Sequence, residues 1–212
     1  MLDLFSKTHQ AIQIKTGVFL LPGFACLVEA QLLADLGRVI QQSPFRHMMT
    51  PGGYRMSVAM SNCGQLGWLS DRHGYRYADQ DPLTESPWPK MPTSFLELAQ
   101  QAAAQGGFGG FVPTSCLINR YEPGAKMSLH QDKDEVDFTS PIVSVSLGLP
   151  AIFKIGGCQR TDPVKKVILS HGDVIVWGNE ARLAYHGILP IKEGFHPLLG
   201  RSRLNLTFRK AD

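Results

Sequence analysis

Hydrophobic residues recur with helical spacing in two segments of the first half of the chain. In the first segment, residues 27–41, Leu32 and Leu36 lie on the same face as the apolar residues that follow them. A helix here must end before Pro44, because the residue before a proline avoids the helical conformation. The pattern therefore predicts a helix over residues 27–41.

The second helical segment, residues 94–105, carries Phe95 and Leu98 on one face and ends at a pair of glycines. Ser94 and Glu97 have the spacing of a capping box, in which two side chains bond the first free backbone N–H groups of a helix. The sequence therefore predicts a capped helix over residues 94–105.

After residue 115 the period of the hydrophobic pattern changes from that of helices to that of strands, and turn residues separate the short apolar runs. The predicted strands are 115–121, 142–149, 151–155, 164–169, 174–177 and 203–209. Many short strands joined by turns favour a sandwich or jelly roll with the two helices packed outside it. We therefore predict an α+β fold that is mainly β.

Residues 44–92 differ from both regions because they are rich in glycine, proline, tyrosine and tryptophan, with only short strand-like pieces such as 54–60. This composition is typical of an elaborated surface segment rather than of core. We predict one domain over residues 1–212, with a flap at about 44–92 and a catalytic core at about 115–209.

Composition and charge limit the classes of protein that fit. The 212 residues are 43% hydrophobic and 18% charged, which indicates a globular protein, and the net charge of +3 permits a nucleic-acid partner without requiring one. The four cysteines form no Cys-x-x-Cys pair, so we interpret them as reduced and mostly buried thiols. No signal peptide or membrane span is visible, and we expect a cytoplasmic monomer.

Candidate metal ligands appear at His130-Gln131-Asp132, because alternate residues of an extended segment point to the same side. His-x-Asp alone is most often structural, so a third ligand is needed, and His186 after the strand-like segment 182–185 is the best candidate. Two histidines and one carboxylate are typical of non-haem iron(II) oxygenases. A second such motif, His171-Gly172-Asp173, lies between two apolar strands, and we interpret it as a turn in which Asp173 bonds backbone N–H groups.

The last predicted strand, 203–209, has one apolar face and one polar face. The polar face carries Arg203, Asn205, Thr207 and Arg209. Arginine binds carboxylates through two parallel hydrogen bonds, so this face suits a dicarboxylate co-substrate, although a solvated strand face would look the same. Tyr121 and Asn119 share a face of the strand 115–121 and are predicted to line the same pocket.

Several of these segments together resemble one family. The residues that carry the resemblance are Asn119-Arg-Tyr121, His130-Gln-Asp-Lys-Asp-Glu135, Ser144-Val-Ser-Leu-Gly-Leu-Pro150, His171-Gly-Asp173 and Arg203-Leu-Asn-Leu-Thr-Phe-Arg209. In this order they closely resemble the AlkB family of dealkylating dioxygenases, and the similarity extends over nearly the whole chain. The resemblance implies a double-stranded β-helix core beneath a nucleotide-recognition flap.

The resemblance also implies roles for individual residues. Iron(II) would be bound by His130, Asp132 and His186, and 2-oxoglutarate by Asn119, Tyr121, Arg203, Asn205 and Arg209. Trp68 would stack on a flipped base with the His130 ring on its other side, while Asp134 would meet the exocyclic amino group of that base. Thr50 and the segment Tyr75-Arg76-Tyr77 would hold the phosphate chain, and Arg160 would approach the base or its backbone. Met60 is the remaining substrate contact that the resemblance implies.

The expected function is oxidative removal of alkyl groups from bases such as 1-methyladenine and 3-methylcytosine. Iron(II) would be the cofactor, and O₂ and 2-oxoglutarate would be consumed as co-substrates, releasing succinate, CO₂ and formaldehyde. Single-stranded DNA is the expected substrate, because an unpaired base costs less to extrude, and double-stranded DNA or RNA is also compatible. Two alternatives stay open: a dioxygenase acting on a protein or small molecule, and a non-catalytic metal-binding module.

Overall fold

The structure is a computed structural model, and it describes residues 10–212. Two α-helices are present in this part of the chain, α1 at Glu29–Gln42 and α2 at Thr93–Gln105. Both predicted helices are confirmed, with one difference at the start of each. The first is preceded by a short 3₁₀ helix, Cys26–Val28.

The predicted capping box of the second helix is wrong. Pro92 precedes α2, and no side chain caps its first turn. The hydroxyl of Ser94 instead donates a hydrogen bond to the Asp35 carboxylate of α1, at 2.5 Å. Ser94 therefore joins the two helices, because a tertiary partner replaces the local one.

Sixteen strands are present among residues 10–212. They are β1 Ile12–Lys15, β2 Val18–Leu21, β3 Arg46–Met49, β4 Arg55–Gly64, β5 Gly67–Asp71, β6 Gly74–Ala78, β7 Gln80–Asp81, β8 Ser86–Pro87, β9 Ser115–Tyr121, β10 Met127–His130, β11 Ile142–Gly148, β12 Ala151–Ile155, β13 Lys165–Leu169, β14 Val174–Trp177, β15 His186–Ile188 and β16 Arg203–Arg209. The six predicted strands agree with β9, β11, β12, β13, β14 and β16 to within one residue at either end.

Two antiparallel sheets form the core. The larger has eight strands in the order β1-β2-β14-β11-β16-β9-β4-β3, and the smaller has four in the order β10-β15-β12-β13. One face of the large sheet packs on α1 and α2, where Phe95 and Phe208 meet edge to face. The opposite face packs on the small sheet through a second apolar cluster that includes Trp177 and Phe153. The expected mainly β fold, with helices outside the sheets, is confirmed.

The segment 44–92 is only partly a surface flap. Strand β4 lies inside the large sheet, paired with β9 and β3, and Val58, Ala59 and Met60 are buried. The interpretation of this whole segment as surface is therefore wrong for β4. The hairpin of β5 and β6 belongs to neither the eight-stranded nor the four-stranded sheet and forms its own two-stranded sheet. For this hairpin the recognition flap stays a prediction.

Three smaller expectations also meet the structure here. The strand-like segment 182–185 is not a strand, because a 3₁₀ helix at Asn179–Ala181 and a turn precede β15. All four cysteines are free, but only Cys63 and Cys116 are buried. Within residues 10–212, neither helix is long and apolar enough to cross a bilayer.

Candidate metal centre and its cavity

Strand pairing brings the candidate metal ligands together. His130 at the end of β10 lies opposite His186 at the start of β15, and Asp132 follows two residues after His130. The Asp132 carboxylate oxygens lie 3.7 Å from Nε2 of His130 and 3.7 Å from Nε2 of His186. The three ligand atoms all lie within 4.8 Å of one another, which is a compact, one-sided donor set.

The hydrogen bonds of both imidazoles leave the correct nitrogen free. Nδ1 of His130 lies 2.8 Å from the Ser128 carbonyl, and Nδ1 of His186 lies 3.0 Å from the Ala184 carbonyl. Since a carbonyl only accepts, each Nδ1 must carry the proton and donate it. Each Nε2 then presents its lone pair to the space beside Asp132, as metal-binding histidines do.

The charges of the site also suit a cation. Burial lowers the pKa of His186 to about 4, so its imidazole is neutral at physiological pH. The pKa of Asp132 is lowered despite burial, because the Arg209 guanidinium and the two imidazoles favour the charged carboxylate. The free Nε2 atoms of two histidines and one carboxylate form a donor set that fits the iron(II) of non-haem oxygenases.

A buried arginine marks a second part of the cavity. Arg203 is 1% exposed, its Nη2 donates to Ser146 Oγ at 3.1 Å, and its guanidinium lies over the Tyr121 ring. Its Nε and Nη1 atoms are buried and have no hydrogen-bond partner among residues 10–212. Buried donors without partners are costly, so these two point to an anionic ligand that accepts from both.

The other residues expected around 2-oxoglutarate divide into two groups. Tyr121 and Asn119 line the cavity, and Oδ1 of Asn119 has no partner within the described chain. Asn205 is already occupied, since it donates to Ser144 Oγ and the Val145 carbonyl and accepts from Thr207. Its side chain therefore shapes the strand face rather than offering a free donor.

Arg209 lines the cavity beside the metal centre, and its contact with 2-oxoglutarate stays a prediction. Its Nε and Nη2 atoms lie 2.8 and 2.6 Å from Oδ2 of Asp132, so its main partner is a candidate metal ligand. Both groups are buried, and the resulting ion pair raises the pKa of Arg209. Arg209 orients the carboxylate of the metal site.

One continuous cavity of about 470 Å³ joins the metal centre to the β5–β6 hairpin. At its mouth the indole N–H of Trp68 donates to Asp134 at 2.8 Å, and the Tyr75 ring stacks on Trp68 with centroids 5.6 Å apart. Thr50, Met60 and Arg160 also line this cavity, as predicted for substrate contacts. The structure thus brings most of the predicted base-binding residues to one opening.

Two predicted phosphate contacts are not arranged as expected. The hydroxyl of Tyr77 points inward and donates to Glu135 at 2.6 Å, so the expectation that it meets a phosphate is corrected. Arg76 forms a two-point ion pair with Asp71 at 2.9 and 2.7 Å, and its charge is partly compensated there. Neither residue lines the cavity.

One residue of the site, Arg182, was not predicted from the sequence. This buried side chain donates to the Asp132 and Ser140 carbonyls and to the Glu135 carboxylate. It lies four residues before His186, in a turn whose conformation the hydrophobic pattern did not reveal. A charged residue next to a predicted strand is normally solvent-exposed, and only tertiary contacts show otherwise.

A second cluster of potential ligands exists among residues 10–212, formed by Cys26, Glu29 and His171. Here the Gly148 N–H donates to Nδ1 of His171, so the proton of the neutral ring must be on Nε2, which faces Glu29 at 2.5 Å. A metal at Nε2 would require an imidazolate. The cluster is therefore a hydrogen-bonded pair with a thiol beside it.

Comparison with known proteins agrees with this geometry. A model of the 2OG-Fe(II) oxygenase superfamily matches residues 17–209. The alpha-ketoglutarate-dependent dioxygenase AlkB of Salmonella typhimurium is 58% identical over 212 residues, covering 100% of this chain and 98% of that protein. The Escherichia coli (strain K12) protein of the same name has the same identity and coverage.

A solved structure extends the comparison to the fold. The structure of OsALKBH1 matches with a TM-score of 0.80 at 28% identity, and the match covers 94% of this chain and 99% of that one. Alpha-ketoglutarate is another name for 2-oxoglutarate, whose two carboxylates suit the free donors of Arg203. The chain therefore belongs to the 2OG-Fe(II) oxygenase superfamily and, within it, to the AlkB group of iron(II)- and alpha-ketoglutarate-dependent dioxygenases.

Proposed function

We propose that this protein removes alkyl groups oxidatively from damaged nucleic-acid bases of the 1-methyladenine and 3-methylcytosine type. Single-stranded DNA is the proposed main substrate, with double-stranded DNA and RNA as further substrates. The AlkB proteins at 58% identity support this assignment over their full length. A monomer in the cytoplasm remains our prediction.

The observation that carries the proposal is the single cavity that connects the metal centre to Trp68 and Asp134. An aromatic face and a carboxylate at one opening suit a flat, cationic ligand, and methylation at N1 of adenine or N3 of cytosine makes the base cationic. A base stacked on Trp68 would direct its alkyl group towards His130 and His186. A small neutral metabolite would use neither feature.

In the proposed reaction, separate groups of residues bind the metal, the co-substrate and the base. His130, Asp132 and His186 would hold iron(II), and Arg203 with Tyr121 would hold the far carboxylate of 2-oxoglutarate. Iron with O₂ and 2-oxoglutarate supplies the oxidation of the alkyl C–H bond. Arg209 keeps the Asp132 carboxylate charged and oriented, and Trp68 and Asp134 place the base. The hydroxylated alkyl group then leaves as an aldehyde, which is formaldehyde for a methyl group.

The decisive experiment incubates the protein with a single-stranded oligonucleotide that contains one 1-methyladenine. Iron(II), ascorbate and 2-oxoglutarate are supplied together and then omitted in turn. We expect the oligonucleotide to lose the mass of one CH₂ and to release one formaldehyde, only when iron and 2-oxoglutarate are both present. An unchanged mass with the full mixture would reject the proposed substrate and favour a protein or small-molecule target.

A further inference from the structure

Two hydrogen bonds connect the β5–β6 hairpin to the loop that follows β10. Trp68 and Tyr77 face each other across the hairpin, and their partners Asp134 and Glu135 are neighbours in the loop. The same loop begins at Asp132, the candidate metal ligand. The element proposed to bind the base and the element proposed to bind iron are therefore joined directly.

The bond between Tyr77 and Glu135 is the inner one of the two. It measures 2.6 Å, and the Glu135 side chain is only 2% exposed. Burial raises the pKa of Tyr77 well above its ordinary value, so its hydroxyl keeps its proton and donates it. A hydrogen bond from a neutral donor to a buried carboxylate is among the stronger kinds.

Glu135 is also connected to Asp132, the carboxylate of the candidate metal site, through two arginines. Its Oε1 atom lies 3.4 Å from Nε of Arg209, which also donates to Asp132 at 2.8 Å. Its Oε2 atom accepts from Arg182, which donates in turn to the Asp132 carbonyl at 2.9 Å. The Arg209 guanidinium thus lies between the two buried carboxylates, and Arg182 joins the Glu135 carboxylate to the Asp132 backbone. Both routes from Glu135 end at Asp132.

From this arrangement we propose that Tyr77 and Glu135 are positioning residues that tie the β5–β6 hairpin to the Asp132 carboxylate, so that metal binding and base binding strengthen each other. The metal half of this proposal stands alone, while the base half rests on the proposed function. Neither residue is a candidate metal ligand, so in this proposal both act through Arg182 and Arg209.

The physical reason is a competition for Arg209. When the Tyr77 hydroxyl occupies Oε1 of Glu135, this oxygen attracts Arg209 less, and the guanidinium stays on Asp132. Without that hydroxyl, Glu135 must satisfy Oε1 with Arg209, and Asp132 loses part of its support. Partners in the outer shell of a metal site commonly change metal affinity by about 10-fold to 100-fold.

The first test measures metal binding without any nucleic acid. The protein, Tyr77→Phe and the control Tyr54→Phe are titrated with Mn²⁺ in the presence of 2-oxoglutarate by calorimetry. Tyr54 is 77% exposed, and Tyr54→Phe loses the same single hydroxyl. The Mn²⁺ dissociation constant of this control should equal that of the unaltered protein. We expect Tyr77→Phe to weaken Mn²⁺ binding about tenfold. An unchanged dissociation constant for a folded Tyr77→Phe would overturn the proposal.

Glu135→Gln provides a second variant should Tyr77→Phe not fold. It keeps the shape and the acceptor oxygen but removes the charge that balances Arg182 and Arg209. We expect Mn²⁺ binding to weaken here as well, with a changed electron paramagnetic resonance spectrum of the bound ion. If neither affinity nor spectrum changes, Glu135 has only a structural role and the link to Asp132 does not exist.

The second test measures how tightly co-substrate use follows base repair. Succinate and repaired base are counted together for an oligonucleotide with one 1-methyladenine. We expect near-equal amounts for the unaltered protein and severalfold more succinate than repaired base for Tyr77→Phe. An equal ratio in the variant would overturn the base half. If the unaltered protein repairs nothing, the proposed function fails, while the Mn²⁺ titration still decides the metal half.

Discussion

The chain contains the motif His-x-Asp twice, and the two copies have different chemistry. At His130-Gln131-Asp132 both side chains converge with His186 on a space suited to a metal. At His171-Gly172-Asp173 the two side chains point to different partners. Identical spacing therefore gave one candidate iron site and one structural turn.

Hydrogen-bond polarity separates the two histidines. A carbonyl faces Nδ1 of His130, so the other nitrogen is free to bind a metal. A backbone N–H faces Nδ1 of His171, so its other nitrogen carries the proton and donates to Glu29. One neighbouring backbone group thus decides whether the imidazole can be a ligand.

The two aspartates differ in the same way. Asp132 accepts from a guanidinium and keeps Oδ1 directed at His130. Asp173 accepts the backbone N–H groups of Gly23 at 2.8 Å and Ser170 at 2.7 Å, which confirms its predicted role in a turn. Gly172, which lies between His171 and Asp173, has a φ of +85°, and a side chain there would collide with Cys26. The second motif requires a glycine where the first has glutamine.

The largest expected difference between the two copies concerns turnover. Asp132→Ala should abolish oxidation of a methylated oligonucleotide, because it removes one of three ligands, while binding of the oligonucleotide stays near normal. Formaldehyde release and fluorescence anisotropy measure these two properties. Turnover that survives Asp132→Ala would contradict the metal assignment.

A second prediction concerns the part of the cavity around Arg203, which lies beside the first motif. Arg203→Ala should raise the concentration of 2-oxoglutarate needed for half-maximal turnover about 100-fold, since a two-point bond to a carboxylate is lost. Arg201→Ala is the matched control, because Arg201 is exposed and pairs with Glu193 on the surface. Equal requirements in both variants would remove Arg203 from the co-substrate site.

A third prediction concerns His186 and how it makes the free energy of unfolding depend on pH. Its pKa is about 4 in the folded protein against 6.5 for an ordinary histidine, so the unfolded chain takes up a proton first as pH falls. The metal-free protein should therefore lose about 2 kcal/mol of stability between pH 7 and pH 4.5 from this group. Urea unfolding of His186→Gln should lack this part of the loss. Identical pH profiles would show that His186 is not buried as described.

The smallest effect is expected at the second motif. Asp173→Ala should lower the free energy of unfolding by about 1 to 2 kcal/mol, because two backbone N–H groups lose their acceptor. Turnover per folded molecule should stay unchanged, since no atom of this turn reaches the cavity. Loss of turnover in a folded Asp173→Ala would mean that the two motifs are functionally connected.

The sequence predicted half of the twelve strands in the two core sheets, because the alternating pattern of these six depends on neighbours along the chain. They are β9, β11, β12, β13, β14 and β16. In β16 the alternation of Leu204, Leu206 and Phe208 with polar residues correctly separated the helix-facing side from the cavity side. Strand β4 was misjudged, since its ends are polar and its flanks contain turn residues. Its burial comes from β9, more than fifty residues away in sequence.

What the sequence determined alone was the periodic part of the fold and the identity of the metal-capable residues, since side-chain direction in a strand follows residue number. The tertiary structure decided which of these residues meet. Pairing of β10 with β15 places His186, the third ligand, beside His130. The Tyr77 hydroxyl points inward to Glu135, so it does not make the expected phosphate contact. These contacts depend on groups that are distant in sequence. A backbone group sets the proton position of His171, and the Glu135 carboxylate accepts the buried Tyr77 hydroxyl. The pattern of neighbouring residues cannot predict such contacts.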